Sequence, residues 1–120
     1  MYNYKLLISA LLLVIIDSIY LKIIKKFFAN QIQLVQNGPM KIDYLAAIIC
    51  YIFIITGFNY FIIKPNRSIS DAFLLGLVIY GIYETTNKAL LTNWSWTTVI
   101  IDTLWGGTLF AIVAYLISLL

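Results

Sequence analysis

The stretch LLISALLLVIIDSIYLKIIKKFF, residues 6–28, decides the fold class of this chain. A membrane-spanning helix needs about 20 mostly apolar residues, and this run supplies them with one acid, Asp17, near its middle. A cleaved signal peptide would have a shorter apolar region and a small-residue cleavage site, whereas this run ends with Lys22, Lys25 and Lys26. We therefore predict a retained first membrane helix.

Three further apolar runs follow, over residues 44–63, 70–91 and 97–120. Residues 31–36 are predicted as an interfacial continuation of the first helix, and Ser70 with Asp71 as the N-cap of the third. With 62% hydrophobic and 11% charged residues, the chain is too apolar for a soluble domain of 120 residues. The sequence predicts an all-α fold, an integral membrane four-helix bundle with short connections. Residues 1–120 form its single four-span domain.

Charge and residue usage exclude several kinds of chemistry. The net charge of +3 comes from basic residues in the connections, where they meet lipid headgroups, so nucleic-acid binding is not expected. The chain has no histidine, which removes imidazole metal sites, haem ligation by histidine and Ser-His or Cys-His catalytic pairs. Its one cysteine, Cys50, cannot form an intramolecular disulfide. Proton chemistry must therefore use carboxylates, tyrosine or lysine.

Three acids within the apolar runs, Asp17, Glu84 and Asp102, are the candidate functional groups. An ionised acid at the centre of a membrane helix costs roughly 2.5–3.5 kcal/mol, so each needs a partner, a proton or a cavity. Counting residues from the span ends places all three near the midplane or on the side of the first and third connections, where they can meet in one pocket. The second span is expected to pack against this pocket and to contribute no functional side chain to it. The candidate binding residues are Asp17, Tyr80, Tyr83, Glu84, Asn87, Lys88, Asp102 and Trp105. The sequence assigns no metal ligand and no catalytic residue, and it leaves any cofactor open.

Each acid also has a structural interpretation. Glu84 and Lys88 are four residues apart on one helix, the spacing of a favourable ion pair. Asp17 could pair with the same lysine or stay protonated, and Asp102 could cap a fourth helix that begins later than expected.

Aromatic and small residues have equally ordinary interpretations. Trp94 and Trp96, together with Tyr44 and Tyr60, lie near span ends, as in the aromatic belt of a membrane protein. Four glycines allow close approach of helix backbones: Gly76, Gly81, Gly106 and Gly107.

Several of these residues form a recognisable pattern. The segment YETTNKAL at residues 83–90, then Trp94, then Asp102 with Trp105 and Gly106, resembles the family of small membrane proteins catalogued as domain of unknown function 2177. The first span adds DSIYL at residues 17–21, similar to that family's acid followed three positions later by an aromatic. This chain has Glu84 where the family commonly has Asp, Thr85 for Leu and Tyr20 for Trp. The resemblance implies a four-helix integral membrane protein and lends no activity.

Three function classes stay open. The acids favour a proton- or cation-linked transporter or channel. The alternative is a structural or assembly protein, for example a virion membrane component, because the heavy use of Ile, Lys, Asn and Tyr suits an AT-rich genome. An intramembrane enzyme acting on a lipid ranks third, since the sequence has no DDxxD pair, HExxH motif or phosphate-binding glycine loop. The expected partners are membrane lipids and either a second copy of the chain or a membrane or capsid protein. The location is a cell membrane or a viral inner membrane.

Overall fold

The computed structural model describes residues 2–120, which form four helices and no strand. Helix α1 is Tyr2–Gln36, α2 is Tyr44–Phe58, α3 is Ile69–Leu90 and α4 is Trp96–Ser118. A π-helical turn, Asn59–Ile63, continues α2, so the second helical segment covers residues 44–63 as predicted. The all-α four-helix fold is confirmed.

Side-chain caps fix where three of the helices begin. The carboxylate of Asp43 accepts the N–H of Ala46 at the start of α2, and Ser95 Oγ accepts the N–H of Thr98 at the start of α4. The cap of α3 is Ser68, whose Oγ accepts the N–H of Asp71. Our assignment of Ser70 and Asp71 as that cap was wrong by two residues, because the helix already begins at Ile69.

Helix α1 is much longer than its apolar run. It continues unbroken through residues 29–36, which confirms the helical continuation predicted for residues 31–36, and it reaches about 52 Å at 1.5 Å per residue. The apolar run predicted only the segment 6–28, because hydropathy marks the part of a helix in lipid and not the end of the helix. The helix ends at Gln36, just before Asn37 adopts a left-handed backbone conformation with φ 54°.

The helices alternate in direction, and α1 packs against both α2 and α4 while α3 packs along α4. Apolar side chains fill the end of the bundle where the chain begins and ends, with Leu13, Phe58 and Phe110 fully buried among them. The rings of Phe58 and Phe110 meet edge to face at 5.1 Å and join α2 to α4. The opposite half, towards the α1–α2 and α3–α4 connections, holds most of the buried polar residues, including the three acids.

Glycines let α3 and α4 approach closely. A Cβ on Gly76 would overlap the carbonyl oxygen of Gly106, and one on Gly106 would overlap the ring of Tyr80. A Cβ on Gly107 would lie 2.8 Å from Phe73. These three positions confirm close approach as the reason for glycine, whereas a Cβ on Gly81 would make an ordinary contact of 3.4 Å.

Polar and apolar residues are distributed as in a membrane protein. Large aliphatic side chains point outward along α1, where Leu7, Leu11, Ile15 and Ile19 form an exposed stripe. The buried polar residues lie inside the bundle. Three segments are long and apolar enough to cross a membrane: α1, α2 with its π-helical turn, and α4. A fourth crossing by α3 stays a prediction, because this helix has the length but carries several charged residues.

Candidate functional site

Asp17 lies where α1, α2 and α4 meet. Its side chain is 6% exposed, and it accepts hydrogen bonds from the Tyr51 hydroxyl and, at 2.8 Å, from Trp105 Nε1. Both donors are neutral. The Tyr51 bond corrects the expectation that the second span only supports the site, because α2 supplies one of the two donors to this acid.

Asp102 lies about one turn before Trp105 on α4, and the side chains of both residues point towards α1. The Tyr20 hydroxyl donates to Asp102 Oδ1 at 3.3 Å, and the Tyr20 ring stacks on the Trp105 ring with centroids 4.4 Å apart. Helix α4 begins at Trp96, so Asp102 lies inside the helix, and its interpretation as a helix cap was wrong.

Glu84 is fully buried on α3, with 0% of its surface exposed. Trp94 Nε1 donates to its Oε1 at 2.7 Å, and its carboxyl group is within hydrogen-bonding range of Asp102. Trp94 itself is only 2% exposed. Its assignment to an aromatic belt was therefore wrong, whereas Trp96 is exposed as such a belt requires.

These contacts form one network, which we call the acidic network: Trp94, Glu84, Asp102, Tyr20, Trp105, Asp17 and Tyr51. It joins side chains from all four helices and from the α3–α4 connection. Each hydrogen-bond donor in it is an indole N–H or a phenol O–H.

The expected pairing of these acids with Lys88 is absent. The ammonium of Lys88 lies over the ring of Trp96, 5.6 Å from its centroid. Within residues 2–120 the one ion pair joins Arg67 to Asp71, far from the acidic network at the start of α3. The three buried acids thus have no basic partner among the residues that the structure describes.

The remaining candidate residues lie around this network. Tyr80 packs its ring against Gly106 in the α3–α4 contact. Tyr83 is 55% exposed and points away from the bundle interior, and Asn87 lies about one turn beyond Glu84. Residue type and depth located the acids, but Tyr51 in an apolar span carried no signal that distinguished it from a lipid-facing aromatic.

Gln31 anchors the α3–α4 connection to α1. It is 5% exposed; its Nε2 donates to the carbonyl of Asn93 at 2.7 Å, and its Oε1 accepts the N–H of Ser95 and the hydroxyl of Thr98. The two backbone contacts, to Asn93 and Ser95, lie on either side of Trp94 and position the indole that donates to Glu84. The sequence predicted residues 31–36 as interfacial and missed this role.

A second buried polar contact lies at the other end of α1 and α2. Asn59 Nδ2 donates to Ser9 Oγ at 3.0 Å, and both residues are almost fully buried. Asn59 is the first residue of the π-helical turn, a geometry that often occurs at functional positions in helices. Here it joins two helices through neutral groups.

These features define a class: an α-helical integral membrane protein with apolar side chains outside and titratable ones within. The model of one family, described as a predicted membrane protein (DUF2177), matches residues 2–119. The chain belongs to that family. It has no match among curated proteins or solved structures.

Proposed function

We propose that this protein is a proton- or cation-linked membrane transporter or channel, and that the acidic network is its ion-binding site. The observation that carries the proposal is the burial of Asp17, Glu84 and Asp102 with neutral donors only. Acids in a membrane interior are expensive and are usually retained for ion or proton movement.

The arrangement of the network supports the same function. It extends from Trp94, at the α3–α4 connection, to Tyr51 and Asp17 well inside the bundle. Carboxyl and phenol groups in such a series can each bind and release a proton. An ion entering at the connection would meet Glu84 and Asp102 before Asp17.

A structural role is the second candidate, favoured by one observation: the network joins all four helices. Polar contacts between membrane helices contribute about 0.6 kcal/mol each on average, and up to about 1.7 kcal/mol. Such contacts can be made by neutral side chains, so stability alone does not require three acids. Ion binding is therefore the better explanation of the residue types.

Flux measurements in liposomes test the proposal. Proton and monovalent-cation flux is measured under an imposed gradient for wild type, Glu84→Gln and Asp102→Asn. The control is Asp71→Asn, which removes an exposed acid at the start of α3. Helicity and monodispersity of each variant are checked first.

We expect flux in wild type and Asp71→Asn, and at least a tenfold loss in the two network variants. Wild-type flux equal to that of empty liposomes would refute transport. If the two folded network variants were then also less stable than wild type, the acids would have the structural role.

A further inference from the structure

Two acids of the network face each other without a donor between them. Glu84 Oε1 is occupied by the Trp94 indole, and Glu84 Oε2 is fully buried without a hydrogen-bond partner among the described residues. Asp102 Oδ1 is occupied by the Tyr20 hydroxyl. The free oxygen of each acid therefore remains for the other.

The chemistry of this contact requires a proton. The two carboxyl groups are within hydrogen-bonding range, yet an ionised carboxylate only accepts hydrogen bonds. Two carboxylates at this separation repel each other, and the repulsion is stronger at a buried site than in water. One proton converts the repulsion into a short O–H···O bond and gives Oε2 of Glu84 its missing partner.

Other means of neutralising the pair are absent from the described residues. Lys88, one turn along α3, lies against Trp96. No group of three or more acidic or thiol side chains in residues 2–120 is arranged to hold a metal ion. A bare cation would also need several oxygen ligands, whereas two donors, Trp94 and Tyr20, already occupy one oxygen of each carboxyl.

We propose that Glu84 and Asp102 share a single proton, and that this proton is the ion the site binds. This deepens the proposed function by naming the transported or coupled ion. One carboxyl of the pair is protonated and the other ionised, and the proton leaves the pair as one unit when it is transferred.

Other titratable groups face the pair from each neighbouring helix. Helix α1 contributes Asp17 and Tyr20, and α3 contributes Tyr80 and Tyr83. Helix α2 contributes Tyr51, which donates to Asp17. Asp17 differs from the pair because Tyr51 and Trp105 give it two neutral donors.

Infrared spectroscopy of the lipid-reconstituted protein tests the shared proton without measuring transport. A protonated carboxyl gives a C=O stretch that shifts in heavy water, and isotope-labelled aspartate or glutamate assigns it. The variants are Glu84→Gln and Asp102→Asn, in which the new amide N–H replaces the acid proton as donor. Asp71→Asn is the control.

We expect the band in wild type and Asp71→Asn at neutral pH, and its complete loss in both folded network variants. A wild-type spectrum without the band would overturn the shared proton, as would a band that persists in both variants. A band without any flux would support the shared proton while refuting transport. Sodium flux without the band would support transport while refuting the shared proton.

Discussion

Replacing Gly76 by alanine tests the close contact that positions the acidic network. The new Cβ would overlap the carbonyl oxygen of Gly106 and would lie 2.8 Å from both Gly106 C and Phe110 Cγ. Carbon atoms normally pack 3.5–4.0 Å apart, so α3 and α4 must separate by roughly 1 Å. Because the obstacle is backbone, no side-chain rotation relieves it.

The expected loss of stability follows from two opposing terms. Overpacking a close contact costs about 1–3 kcal/mol, and replacing glycine inside a helix returns about 0.5–1 kcal/mol. Gly57 provides the matched control, since a Cβ there meets nothing within 4 Å. We expect Gly76→Ala to be less stable than Gly57→Ala by about 2 kcal/mol.

Unfolding in mixed micelles with increasing SDS, followed by circular dichroism, measures this difference. Glu84 lies two turns beyond Gly76 on α3, so separating the helices also moves it away from Asp102. The infrared band of the shared proton should therefore weaken in Gly76→Ala. Equal stability of the two glycine variants would refute the packing argument.

Three hydrogen-bond deletions give further predictions. Trp94→Phe keeps the ring but leaves the fully buried Glu84 without its indole donor, and should lower the free energy of unfolding in the same SDS titration by about 1.7 kcal/mol, the upper value for such contacts. Tyr51→Phe removes one of two donors to Asp17 and should cost about 0.6–1.7 kcal/mol, measured in the same way. Gln31→Ala frees the α3–α4 connection, and should raise amide hydrogen exchange of residues 93–95 at least tenfold.

Exposed residues of the same types provide the controls. Trp96→Phe and Tyr44→Phe change side chains that are 62% and 73% exposed, and Gln33→Ala changes an exposed glutamine two residues from Gln31. The tryptophan and tyrosine controls should stay within about 0.5 kcal/mol of wild type, as surface substitutions usually do. Gln33→Ala should leave the amide exchange of residues 93–95 as in wild type. A control as destabilised as its buried counterpart would show that the named hydrogen bond is not responsible.

The sequence predicted the helices well because apolar runs and polar connections alternate along it. The second segment, residues 44–63, coincides with α2 and its π-helical turn, and α4 begins one residue before its predicted start. Residues 31–36 were predicted to continue the first helix, and α1 does extend to Gln36, because no glycine or proline lies in residues 29–36 to stop it. Hydropathy alone marked only residues 6–28.

The site was harder to predict, because depth can be counted along a helix but side-chain direction cannot. Asp17, Glu84 and Asp102 were located by their depth. Trp94 sits at a span end, where the sequence favours the interface, and only its tertiary contact with Glu84 reveals its role. The spacing of Glu84 and Lys88 left an ion pair open as a structural interpretation, but the lysine side chain lies over an aromatic ring outside the network.

The length of α1 links the two ends of the molecule mechanically. One uninterrupted helix carries Asp17 and Tyr20 in the acidic network and Gln31 near its far end. No glycine or proline lies between them to act as a hinge. Any tilt or rotation imposed on the end of α1 by lipids or by another protein must therefore displace the two network residues with it. A spectroscopic label on exposed Gln33 would report movement of the buried network from outside the bundle.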